Sequence, residues 1–174
     1  MRNLLFFLFT LINFQLLSQI KIDQVGDNWQ PKVEQSIRLI KKTDKQKYDY
    51  LIKHCKHITF FDGRFSTIEG THTIVLGNFD MKSNSIENIA SALVHETMHL
   101  IMVQNKIVLN EKEEECICYS YELSFLLNLP DCPEFLIKNC RRMLKSYECN
   151  PSQIGNSIFI SDYLEFKKFQ PTHK

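Results

Sequence analysis

The stretch LVHETMHLIM, Leu93 to Met102, constrains this chain more than any other. With the flanks SALV and LIMV it is apolar all round, so the helix it predicts belongs inside a core and not on a surface. Its centre nevertheless carries His95, Glu96 and His99. Two imidazoles and a carboxylate buried without partners carry a large desolvation cost. Either the histidines are core residues bonded to backbone with Glu96 at a helix edge, or a shared partner removes the cost.

The spacing favours a shared partner. His95 and His99 are four apart, so a helix sets them on one face with Cβ atoms about 5–6 Å apart. Two ring nitrogens can then converge on one ion at about 2.0–2.1 Å each. Glu96 points to the side, where it can reach a water but not the same ion. The pattern is H-E-x-x-H, which pairs two zinc ligands with a general base.

Such a centre takes a third protein ligand and leaves a position for water. The cluster EKEEEC supplies Glu111, Glu113, Glu114 and Glu115. If NKIVLN is the turn of an antiparallel helix pair, His99 lies about five residues before it and Glu115 about five after the next helix begins. Both are then about 7.5 Å from the turn and level with each other. Glu115, Cys118, Glu122, Phe125 and Leu129 form one stripe at helical spacing. Ser91, Ala92 and Cys118 are small enough for the helices to approach closely. Glu114 is the near competitor, and Glu111 and Glu113 read as solvated first-turn acids.

The remaining organisation follows from periodicity and caps. Pro31 suits a helix start, with Val33, Ile37 and Ile40 on one face. Thr43 and Gln46 resemble a capping box ahead of Tyr48, Leu51, Ile52 and Cys55. HITFFDG and THTIVLG read as strands, with Gly63 and Gly70 framing the turn between them. The central helix runs from about Ile86 to Gln104, capped by Ser83 or Ser85. Asn110 caps the next, which stops before Pro130. Asp131 and Pro133 begin another that ends near Asn150, and SDYLEFKKF reads as a last short helix. The class is α+β and mostly helical. A small strand hairpin or sheet precedes the active-site helix, which packs against an antiparallel ligand-bearing helix.

The first twenty residues differ from the rest. Arg2 is the only charge, Leu4 to Ile12 is nearly unbroken apolar sequence, and Ser18 is small. The run is short for a membrane span, which needs about 20 residues. Residues 1–18 are therefore expected to be a signal peptide cleaved near Ser18, or else an N-terminal anchor. Residues 19–174 form one domain that is exported: periplasmic, extracellular or membrane-anchored. Six cysteines permit disulfides in such a compartment. Cys116 and Cys118 point to different sides of one helix, and Cys132 with Cys140 or Cys149 is the easier pairing. Buried thiols acting as small hydrophobes are the alternative. With 21 basic against 20 acidic residues and no basic block, nothing points to a nucleic-acid partner.

ASALVHETMHLIM, a short turn and EEECICYSYELSFLLNLP resemble the gluzincin type of zinc metallopeptidase. More narrowly they resemble small single-domain bacterial proteins with a HE[AT]xH helix, a second helix opening on E-x-x-C, and a terminal LP. Glu115 matches the ligand position, Cys118 the cysteine three on, and Leu129-Pro130 the terminal LP. The likeness covers roughly Thr71 to Pro130. It implies Zn²⁺ held by His95, His99 and Glu115, Glu96 as general base, and a peptide or protein substrate. THTIVLG is expected to pair with an extended peptide by strand addition. An oxyanion donor is sought among His72, Tyr119, Tyr121, Tyr147 and Tyr163. His54 and His57 are expected to be solvent-exposed. The competing reading is a non-catalytic zinc module, structural or regulatory, of the cell envelope.

Overall fold

The computed structural model describes residues 20–24, 29–77 and 85–150. The expected leader, the last short helix and Tyr163 lie outside them. The described residues form an α+β fold, mostly helical, with five helices and a four-stranded mixed sheet. In chain order these are β1 (Lys21–Ile22), α1 (Trp29–Thr43), α2 (Lys45–His54), β2 (His57–Phe61), β3 (Thr67–Glu69), β4 (Thr73–Gly77), α3 (Ile86–Gln104), α4 (Glu111–Asn128) and α5 (Glu134–Ser146).

Helix boundaries follow the caps. Ser85 accepts from the Asn88 amide and starts α3 at Ile86. Asn110 accepts from the Glu113 amide and starts α4. The cap of α2 is Asp44, whose carboxylate accepts from the Lys47 amide, and not Thr43. A carboxylate at this position is the stronger acceptor. Helix α5 ends at Ser146, short of the expected Asn150. Tyr147 caps it, and Glu148 turns to a positive φ of 50°.

The sheet order is β1-β2-β4-β3, with β1 parallel to β2, β2 parallel to β4, and β3 antiparallel to β4. The strands of HITFFDG and THTIVLG are therefore parallel neighbours and not the two arms of a hairpin. The hairpin is β3–β4, turning at Gly70, whose φ of +60° suits glycine. Three residues, Thr67–Glu69, are too few to show alternation, so β3 carries no periodic signal in the sequence. Strand β4 is central, and Ile74 to Leu76 are buried, as its continuous apolar run requires.

Helix α3 is the axis of the molecule. Helices α1 and α2, the sheet and α4 all pack on it, and α5 packs on α4. Ile89, Ala90, Leu93 and Leu100 on α3 are wholly buried, as are Ile37 and Ile40 on α1 and Phe125 on α4. The buried Ser36 hydroxyl donates to the Lys32 and Ile86 carbonyls and ties α1 to the start of α3. His54, expected in solvent, is buried. Its Nδ1 lies 2.6 Å from the Gln104 side-chain oxygen, and the Gln104 amide donates to the His54 carbonyl. The last turn of α3 thus covers the end of α2. His57 is half-buried beside Asp23, with Nε2 2.9 Å from its carboxylate.

One disulfide forms, Cys116–Cys149, with Cα atoms 5.5 Å apart. It closes the end of α5 onto the first turns of α4. Neither expected pairing of Cys132 occurs. Helix α5 turns Cys140 inward, where its thiol donates to the Tyr119 carbonyl at 3.2 Å, and carries Cys149 on to Cys116. Cys55, Cys118 and Cys140 are buried free thiols, and Cys132 is half-buried.

Candidate metal centre

The partners of α3 on α4 step backward as α3 steps forward. Ser91 and His95 meet Glu122, while His99 meets Glu114 and Glu115. The two helices are therefore antiparallel, as the short turn requires. Ser91 and Cys118, both small, stand at their contact.

His95 and His99 bring their Nε2 atoms to 3.2 Å from each other. The Glu115 carboxylate straddles them, with Oε2 3.5 Å from His95 Nε2 and Oε1 3.5 Å from His99 Nε2. Ligands held about 2.0–2.1 Å from a tetrahedral ion lie about 3.3 Å from one another. The carboxylate offers one oxygen to each ring, and each of these separations is close to that spacing.

The far side of each ring is held as well. His95 Nδ1 lies 3.0 Å from Glu122 Oε2, and the other Glu122 oxygen accepts from the Ser91 hydroxyl. His99 Nδ1 lies 2.7 Å from Glu114 Oε1. A carboxylate at Nδ1 fixes the Nδ1–H tautomer and turns the Nε2 lone pair toward the centre. Two such lone pairs facing each other repel unless a proton or a cation lies between them. A proton on His95 satisfies the pair when no ion is bound, and a cation can take its place, so the donor set fits a metal ion.

The charges agree with the geometry. Burial drives the His95 pKa down, but its hydrogen bonds to the Glu115 and Glu122 carboxylates and the nearby Glu96 charge outweigh it, leaving it raised to about 10. Burial and the His95 charge hold His99 below its usual value in spite of Glu114. Burial opposes ionisation of Glu115, yet the two imidazoles bring its pKa below the usual carboxylate value. Together these groups attract positive charge to one point.

Cys118 also faces this point. One ligand atom from each of His95, His99 and Cys118 can be chosen so that all three lie within 4.8 Å of one another. These residues could hold a metal ion together. Two donor sets thus share the imidazoles, one completed by Glu115 and one by Cys118.

Glu96, one residue beyond His95, is 5 % exposed. Glu111 and Glu113 are exposed in the first turn of α4, away from this cluster. Of the expected oxyanion donors, Tyr119 packs edge-on against His95 with ring centroids 4.5 Å apart, and Tyr147 stacks on Tyr119 at 6.0 Å. Burial, then Glu115, raises the pKa of both phenols, so both remain protonated at neutral pH. Tyr121 is buried elsewhere, under the Lys47 ammonium. His72 is exposed and bonded to its neighbour Thr71.

The sequence places Glu122 on the stripe of Glu115 without marking it as the partner of His95. Its signal was its place seven residues after Glu115, two turns on along the same stripe, level with His95. Ser91, four residues before His95, contributes its hydroxyl to Glu122 as well as its small size. Comparison with family models, with curated proteins and with solved structures gives no match to this chain.

Proposed function

We propose that this chain is a zinc-dependent metallopeptidase of the gluzincin type, with His95, His99 and Glu115 as the metal ligands. The observation that carries the reading is the facing pair of Nε2 atoms, each ring held from behind by its own carboxylate. Its donor set of two imidazoles and a carboxylate is one of those that catalytic zinc uses. When bound, the ion would polarise the scissile carbonyl and acidify a water.

The chain's own residues do the rest. Glu96 takes the proton of the attacking water and returns it to the leaving amine. Glu122 and Glu114 hold the two rings in register, and Ser91 holds Glu122. Tyr119 and Tyr147 are the phenols at the site wall, and as neutral donors either suits the oxyanion. An extended substrate does not pair with THTIVLG as the sequence suggested, because β4 has a strand on each side. The strand-addition role passes to β3, an edge strand packed beside α3. Export is supported by the Cys116–Cys149 disulfide, which persists in oxidising compartments. No described helix is long and apolar enough to cross a membrane.

The second reading, a structural or regulatory zinc module, is favoured by Cys118, which offers a fourth protein donor. Glu96→Gln separates the two. On the peptidase reading it keeps its zinc and loses hydrolysis of a denatured protein substrate that the wild type cleaves. Loss of zinc in that variant sinks the base role. A wild type that holds zinc and cleaves nothing across a peptide library leaves the structural module. Wild-type-like zinc in the His95→Ala, His99→Ala double variant removes the centre altogether.

A further inference from the structure

Resting on the metal reading above, we propose that Cys118 is a ligand of the resting centre, competing with water for the fourth position. Cys118 lies three residues after Glu115, on the same face of α4, and is wholly buried. A buried cysteine alone is no more than a small hydrophobe. This one is distinguished by its company, since donor atoms of His95 and His99 lie no more than 4.8 Å from its sulfur. Sulfur and nitrogen ligands of one tetrahedral zinc, at about 2.3 and 2.0–2.1 Å, lie about 3.6 Å apart. Rotation of the side chain and a small approach of the helices span the difference.

The other cysteines offer no such donor. Cys116 and Cys149 are spent in their disulfide. The Cys55 thiol donates to the His57 carbonyl, that of Cys132 to the Pro133 carbonyl and that of Cys140 to the Tyr119 carbonyl. Cys118 has no such bond among those of the described thiols and faces the imidazoles instead. On binding, the S–H bond breaks, a sulfur–metal bond forms, and the proton leaves to solvent.

The consequence is a centre with two shells. With Cys118 bound, His95, His99, Glu115 and the thiolate close the coordination, and water has no position. With Cys118 displaced, the shell opens and Glu96 has a water to act on. The thiolate thus restrains the site, and a soft ion such as Cd²⁺ is held more firmly than the same site without sulfur would hold it.

X-ray absorption at the zinc edge of the wild-type protein, loaded with one equivalent of Zn²⁺, reads the donors directly. A sulfur shell at about 2.3 Å beside the nitrogen and oxygen shell is the expected result. It is lost in Cys118→Ser, with zinc still bound, and kept in Cys140→Ser. Zinc bound in the wild type by nitrogen and oxygen alone overturns the proposal and leaves the peptidase reading standing. A sulfur shell that survives in Cys118→Ser, or vanishes in Cys140→Ser, overturns it too. No stoichiometric zinc in the wild type overturns both. The wild-type spectrum decides the point even where a variant does not fold.

Discussion

Glu122 reaches from α4 to His95 on α3 and holds its Nδ1 at 3.0 Å, twenty-seven residues away in sequence. Its second oxygen accepts from Ser91, so one carboxylate fixes both the ring and its own position. Partners of this kind typically contribute 10–100-fold in metal affinity. Glu122→Ala is therefore expected to weaken zinc binding by about that factor, and Glu114→Ala, which frees His99 Nδ1, by a factor nearer the lower end. Glu115→Ala is expected to exceed both, and Glu111→Ala and Glu113→Ala to change little. Competition titrations against a chromophoric chelator give the ranking. Equal affinity in wild type and Glu122→Ala would remove the ring-holding role.

Metal binding must also displace a proton. Burial lowers the His95 pKa, but Glu115 and Glu122 outweigh it and raise it to about 10, so the ring is cationic at neutral pH. Its Nε2 can serve an ion only once deprotonated. In Cys118→Ser, where no thiol proton is displaced, apparent affinity should therefore rise with pH, about tenfold per unit, up to that value and level off above it. Calorimetry in buffers of different ionisation enthalpy counts the protons. Cys118→Ser isolates the His95 contribution, and about one proton per ion is expected from it. A count of zero in that variant would show His95 neutral before the metal arrives.

How much of this was legible in the sequence depends on range. Ser85, Asn110 and the apolar run of α3 act within a few residues, and the bounds of α3 were read correctly from them. His95, His99 and Glu115 were brought together by one rise-per-residue argument, because the turn between the helices is short. Relations set by tertiary packing were not legible. The parallel pairing of β2 with β4 depends on a three-residue strand with no pattern. Cys116 finds Cys149 only because α5 lies along α4. His54 is buried because Gln104, fifty residues on, covers it.

The disulfide lends itself to a direct measurement. Cys116–Cys149 closes a loop of 33 residues in sequence separation. Chain-entropy reasoning assigns such a cross-link roughly 3–4 kcal/mol, acting mainly on the unfolded chain. The Cys116→Ala, Cys149→Ala double variant is expected to lose about that much in a denaturant titration. Cys132→Ala is expected to lower the free-thiol count by one and leave the Cys116–Cys149 disulfide in place. A non-reducing peptide map that finds Cys132 paired with Cys140 or Cys149 would overturn the observed connectivity.

The last expectation concerns Lys47, which is 2 % exposed although it is a lysine. Its ammonium lies 2.9 Å from the Asp44 carboxylate and 4.4 Å from the centre of the Tyr121 ring. Asp44 also caps α2 through the Lys47 amide, so one side chain serves two partners. Burial opposes the Asp44 charge, but the hydrogen bonds from Lys47 outweigh it and place its pKa below the usual value. A carboxyl lowered in the folded state contributes stability above the unfolded pKa of about 3.9 and loses it as pH falls through the folded value. The contribution is thus complete at neutral pH and disappears in the acid range below about 4. Asp44→Ala removes a cap and strands a buried ammonium, at a cost of about 3–5 kcal/mol. Lys47→Met, which removes the buried charge and keeps the volume, is expected to be far milder. Chemical denaturation at pH 7 compares the two. A Lys47→Met variant as unstable as Asp44→Ala would show that the ion pair itself, and not the relief of a stranded charge, carries the stability.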